Sequence, residues 1–274
     1  MTATPEAPHP PPPANPELPD GVEREPRWPW WFSVAGFGAA FVATGILVLP
    51  ILLLADDASS PAVTIGGAAV QYGTFIAVAI GFAYIRLRPR AWHFGFRRTR
   101  FWPALGWSAL GFVSFFVLSA IYSVALGMDE EQTTLDDLGA DESTLSLVIA
   151  AALVIVIAPV VEEFFFRGFF YRSLRGSLPA WGAALITGGV FGLVHLPTGA
   201  AAVPPLIVFG VILCLLYERT GSLYAPIALH AFNNTLSFLI GTEAVALSLV
   251  LGAVTIGACV LVPRYAWRTA PAAR

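Results

Sequence analysis

Residues 143–167 read STLSLVIAAALVIVIAPVVEEFFFR. The 19 residues 143–161 pass without a charge, and as helix rising about 1.5 Å per residue they cross most of a ~30 Å hydrocarbon layer. Two adjacent glutamates and an arginine follow, set among phenylalanines. The rest of the chain has the same character. It is 57% hydrophobic and 12% charged, with a mean hydropathy of +0.72. A soluble domain carries about 25% charged residues to cover its surface, so the solvent for this chain is lipid.

Working outward, charge-free stretches recur at 28–55, 58–85, 101–128, 176–217, 220–242 and 244–263. The stretch 176–217 exceeds one span, and Pro197, Gly199, Pro204 and Pro205 divide it near residue 200. The expected fold is therefore all-α, a polytopic membrane helix bundle with about eight transmembrane helices. Residues 1–33 hold ten of the 22 prolines and read as a disordered, Pro-rich cytoplasmic tail. The apolar run after it is too long for a signal-peptide core, so the first hydrophobic segment is expected to stay. Three transmembrane helices are expected over 34–144, a membrane core over 145–262, and a short basic cytoplasmic tail over 263–274.

Gly188 and Gly192 have the small-xxx-small spacing that lets membrane helices approach closely. Trp28, Trp30, Trp31, Trp102 and Trp107 are expected in interfacial belts. Cys214 and Cys259 stand singly in apolar stretches, which suits neither a disulfide framework nor a zinc knuckle.

Net charge is −3, with no clustered positive surface suited to nucleic acid, so that class of partner is excluded. All 15 basic residues are arginines. Arg86, Arg88, Arg90, Arg97, Arg98 and Arg100 lie between the second and third spans, whereas 129–142 carries seven acidic residues and no base. Positive charge is retained on the cytoplasmic side, which makes the arginine loop cytoplasmic. Counting alternately, Arg172, Arg175, Arg219 and the C-terminal arginines fall on the same side. The expectation is an integral protein of the plasma (inner) membrane with both termini cytoplasmic.

Ionisable groups inside hydrocarbon cost several kcal/mol each and mark function by default. Here they are Glu162-Glu163-Phe-Phe-Phe-Arg167, Phe191-Gly-Leu-Val-His195 and His230-Ala-Phe-Asn-Asn234. Measured from the cytoplasmic turn at Gly176–Pro179, Glu162 and His195 rise roughly 20–24 Å up antiparallel helices, so they can face each other. His230 and Asn234 rise roughly 13–20 Å and can join the same cavity, which we expect to open toward the cytoplasmic end. Adjacent residues on a helix point about 100° apart, so the two glutamates cannot share one role. Glu163 and Arg167, at i and i+4, are expected to neutralise one another, leaving Glu162 for the cavity. His230 and Asn234 share a helix face and could aim two donors at one oxygen.

These three motifs resemble those of the CPBP intramembrane proteases, which include the type II CAAX prenyl endopeptidases and bacterial Abi-type or bacteriocin-immunity proteins. The resemblance covers roughly 145–262, with Glu-Glu-x-x-x-Arg, Phe-x-x-x-His and His-x-x-x-Asn in that order. It implies that Glu162, His195, His230 and Asn234 form the catalytic set, with Glu163 and Arg167 supporting them. It also implies an intramembrane endopeptidase acting on a membrane-associated or lipid-modified protein or peptide, with the bilayer as its other partner.

The residue types suit that chemistry. A desolvated carboxylate can act as general base toward water, with Glu162 the candidate and His195 assisting, while His230 and Asn234 supply donors to the oxyanion. Alternatively Glu162, His195 and His230 could hold a zinc ion, since two His and one Glu with an open position form a catalytic ligand set. We favour water activation without a tightly bound metal, because Asn234 beside His230 suits an oxyanion clamp better than a ligand set. Two other classes stay open: a proton-coupled transporter, which could use the same residue types, and a non-catalytic membrane scaffold or immunity protein.

Overall fold

The computed structural model describes residues 28–126 and 134–266, which form helices joined by turns. The expected Pro-rich tail up to residue 27, the segment 127–133 and the basic tail from 267 lie outside the described residues. Helices α1 (Trp31–Leu54), α2 (Pro61–Arg86) and α3 (Phe101–Leu126) come first, and a one-turn helix, Thr134–Asp137, follows. A long rod, α4 (Thr144–Arg175), leads into α5 (Ala180–Val194), α6 (Val203–Thr220), α7 (Tyr224–Gly241) and α8 (Val245–Ala266). The expected polytopic helical bundle is what the chain forms. Among the described residues six helical segments are long and apolar enough to cross a membrane, whereas α5 is apolar but only 15 residues long. The break expected near residue 200 is present as two 3-10 turns, Leu196–Thr198 and Ala200–Ala202.

Up-and-down connectivity sorts the turns to two ends. At one end Leu223 N–H donates to Gly95 O at 2.8 Å and Ser222 Oγ donates to Arg97 O at 2.6 Å, which pins the α6–α7 turn under the α2–α3 loop. Arg86 to Arg100, Arg172, Arg175, Arg219 and Arg264 lie toward this arginine end. At the opposite end lie Asp56, Asp57, Asp136, Asp137, Asp141, Glu142 and Glu243, with no arginine among the described residues there. Trp30, Trp31, Trp102 and Trp107 are exposed near the arginine end, as interfacial residues should be. Trp28 is not. It is wedged between Phe94 and Phe169 at ring distances of 5.1 and 5.8 Å and is buried, so it belongs to the core.

The rod α4 is not a uniform α-helix. Pro159 has no N–H, and just before it the chain widens into a π turn, Leu153–Ile157, in which Ala158 N–H bonds Leu153 O. A second π segment, Phe164–Tyr171, follows the two glutamates, and every residue of it is buried. Its rings pack on α2, the 91–94 turn and α5: Phe165 stacks on Phe75 at 4.2 Å, Phe164 meets Phe94 at 4.6 Å, and Phe166 meets Phe191 at 5.2 Å. These contacts form the centre of the apolar core.

Helices α5 and α6 touch backbone to backbone. A Cβ on Gly188 would lie 2.8 Å from Ile207 O and Val211 N, and one on Gly192 would lie 2.8 Å from Ile207 N and Val203 O. The small-residue spacing therefore serves close packing, and it fixes where α5 ends and where His195 stands.

Candidate active site

Helix α5 stops at His195, which has left helical geometry (φ −91°, ψ 5°). Its Nδ1–H donates to Phe191 O at 2.7 Å, a bond that fixes the tautomer, because a carbonyl can only accept. The other nitrogen, Nε2, faces Glu162 Oε2 at 3.9 Å. That separation is too long for a direct hydrogen bond and suits one bridging water. The two side chains are 24% and 12% exposed, so the pair borders an opening. Glu162 Oε2 is buried and makes no hydrogen bond among the described residues.

Glu163, on the adjacent helix face, is fully buried and its Oε1 accepts two bonds. One comes from Arg167 Nη1–H at 2.8 Å and the other from His230 Nδ1–H at 2.9 Å. Arg167, also fully buried, donates through Nη2 to Gly210 O on α6 at 2.9 Å and lies over the Phe191 ring at 4.6 Å. The expected Glu163–Arg167 pair is thus present, and it extends to His230. Sequence spacing could not supply that third member, because 67 residues separate it from Glu163. Phe191 lies between the two imidazoles, with ring distances of 4.7 Å to His195 and 5.9 Å to His230.

Asn234 has a partner of a different kind. Its Nδ2–H donates to Val154 O, on the π turn of α4, at 2.8 Å. In the i→i−5 register of that turn the donor to Val154 O would be residue 159, which is a proline. Asn234 therefore supplies the N–H that Pro159 lacks, which leaves one amide hydrogen for other work.

The four expected catalytic residues are placed as two pairs of contacts: Glu162 with His195, and His230 with Glu163, while Asn234 ties α7 to α4. Glu162, His195 and His230, the alternative ligand set, are not gathered into one cluster, and among the described residues no three His, Cys, Asp or Glu side chains are grouped to hold a metal ion. One neighbour escaped the sequence reading. Tyr72 of α2 brings its hydroxyl to the Glu162 carboxylate. Its signal was a phenol inside an apolar span, which needs a partner there, but nothing local names that partner.

The expected opening toward the arginine end is not found. From Glu163 to Leu174 every residue of α4 is buried, and the aromatic rings of the π segment fill that route. Depth along the helix was legible in the sequence, whereas the packing of consecutive phenylalanines around a widened helix was not. A cavity of about 410 Å³ does open toward that end, between Trp107, Gly111, Trp181, Ile212 and Arg219, but no site residue lines it.

An apolar helical bundle with carboxylate and imidazole pairs at membrane depth defines an integral membrane protein with a polar site in its core. Residues 144–236, about a third of the chain and the part that contains Glu162 to Asn234, match the family described as type II CAAX prenyl endopeptidase Rce1-like. No curated protein and no solved structure matches the chain.

Proposed function

We propose that the protein is an intramembrane endopeptidase that hydrolyses a peptide bond of a membrane-associated protein or peptide with a water activated by Glu162 and His195. The observation that carries this is the Glu162–His195 pair, 3.9 Å apart and partly exposed, beside a buried Arg167–Glu163–His230 chain. The carboxylate takes a proton from a water that also hydrogen-bonds His195 Nε2, and the water oxygen attacks the scissile carbonyl. His230 offers Nε2 to the resulting oxyanion. With Nδ1–H committed to Glu163, it donates from Nε2 only when that nitrogen also carries a proton. The free Asn234 amide hydrogen is the second donor. As the tetrahedral intermediate collapses, the C–N bond breaks and the proton held by Glu162 passes to the leaving amine.

No step of this reading is routed through a metal. Stoichiometric zinc in purified wild type, lost in both Glu162→Gln and His195→Ala, would overturn that part of the reading. The function is tested by comparing membrane peptides from cells carrying wild type and Glu162→Gln. Peptides that accumulate uncut in the variant are expected. An unchanged peptide set would favour a scaffold or transporter.

A further inference from the structure

Helices α3 and α5 both lie against α6, and glycines set where they meet it. A Cβ on Gly111 would lie 2.9 Å from Ile212 Cγ2, and further in Phe115 meets Phe209 at a ring distance of 4.7 Å. The backbone contacts of α5 with α6, at Gly188 and Gly192, also lie away from the arginine end. Toward that end the three helices leave between them the cavity of about 410 Å³. Its mouth carries Trp107, Trp181 and Arg219, each within about two turns of the end of its helix. Its inner end reaches Ser114 and Ile212, roughly 10 Å deeper at 1.5 Å per residue. Between those levels the lining is apolar, with Leu110 and Leu215 facing the space.

Two charges border the mouth, and they differ in what they have left to offer. Both oxygens of Glu218 are engaged: Oε1 accepts from Arg175 Nη2–H at 2.6 Å, and Oε2 accepts from the Tyr171 hydroxyl at 2.9 Å. The guanidinium of Arg219 lies over the Trp107 ring at 4.8 Å and has no carboxylate partner among the described residues. Stacking occupies the flat face of a guanidinium and leaves its N–H edge for an acceptor. The cavity thus pairs an anion-seeking group at interface depth with an apolar slot that runs toward the bilayer centre.

We propose that this cavity binds an anionic phospholipid, with the phosphate on Arg219 and the upper part of one acyl chain in the slot toward Ser114 and Ile212. A zwitterionic headgroup is the poorer fit, because its ammonium would need an acceptor and Glu218 already serves Arg175 and Tyr171. The arginine end is the one that the positive-inside rule assigns to the cytoplasm, where basic pockets between membrane helices meet anionic lipid. Trp107 and Trp181, 39% and 63% exposed, set indoles at the level of the headgroups on either side of Arg219. The bound lipid fills the gap between α3 and α5 and stabilises the bundle, whatever reaction the Glu162–His195 pair performs.

The test titrates the full-length protein in detergent with phosphatidylglycerol or with phosphatidylethanolamine of the same chains. Binding is read by native mass spectrometry, and thermal unfolding is followed in parallel. Wild type should bind phosphatidylglycerol about five- to tenfold more tightly than Arg219→Gln does, and only wild type should gain stability from it. Arg88→Gln removes an exposed arginine from the same end outside the cavity, and it should bind as wild type does. Ser114→Leu keeps the charge but fills the inner end of the slot, and it should lose binding. Inorganic phosphate, which has the charge without the chain, should not stabilise wild type. Equal affinity in wild type and Arg219→Gln, an equal loss in Arg88→Gln, or binding retained in Ser114→Leu overturns the proposal. Equal affinity for the two lipids, or equal stabilisation by inorganic phosphate, overturns it as well.

Discussion

Glu162 and Glu163 are adjacent in the chain and opposite in task. Glu163 holds two cationic or polarised donors in a site without solvent, whereas Glu162 borders the opening. Replacing Glu162 by Gln is nearly isosteric, and Oε2 makes no hydrogen bond among the described residues, so the variant should unfold at the wild-type temperature and be inactive. Replacing Glu163 by Gln leaves Arg167 buried without its counter-charge, a change that costs about 3–5 kcal/mol. Thermal unfolding in detergent should fall markedly for Glu163→Gln alone. Equal loss in both variants would undo the division of labour. The separation of the two glutamates was legible in the sequence because helix geometry alone dictates it. The share of His230 in the Glu163 carboxylate was not, since it depends on how α7 crosses α4.

At the scale of elements, α4 and α7 are joined through the proline. Asn234→Ala leaves the Val154 carbonyl without its donor, at a cost of about 1–3 kcal/mol. Pro159→Ala restores an N–H to the rod, so in the double variant Val154 O regains a partner from its own helix. The two substitutions should therefore be less destabilising together than their sum, with a coupling of about 0.5–3 kcal/mol in a double-mutant cycle of unfolding free energies. Strict additivity would show that Asn234 does not serve Val154. Helices α5 and α6 make a second joint. Gly192→Val sets a side chain against the α6 backbone at 2.8 Å, which must push the helices apart and displace His195. Both stability and activity should fall, whereas Gly189→Ala, where a Cβ meets nothing within 4 Å, should change neither. The α5–α6 contact was legible in the glycine spacing. The Asn234–Val154 bond was not, because a side chain bonding a π-turn carbonyl leaves no periodic mark.

Across the whole molecule the organisation is a polarity. One end is tied together by the Leu223 N–H bond to Gly95 O, the Ser222 hydroxyl bond to Arg97 O and Arg175, whose Nη2 meets Glu218 Oε1 at 2.6 Å. The other end is acidic and carries the turn that follows His195. The ion-pair chain of Arg167, Glu163 and His230 is buried in the core, and the Glu162–His195 pair beside it is partly exposed. The most direct test uses a peptide that accumulates in Glu162→Gln cells, incubated with purified protein in liposomes and H₂¹⁸O. The account predicts cleavage by wild type with one ¹⁸O in the new carboxyl terminus, and intact peptide with Glu162→Gln. Absence of cleavage by wild type, or equal cleavage by both, would contradict it.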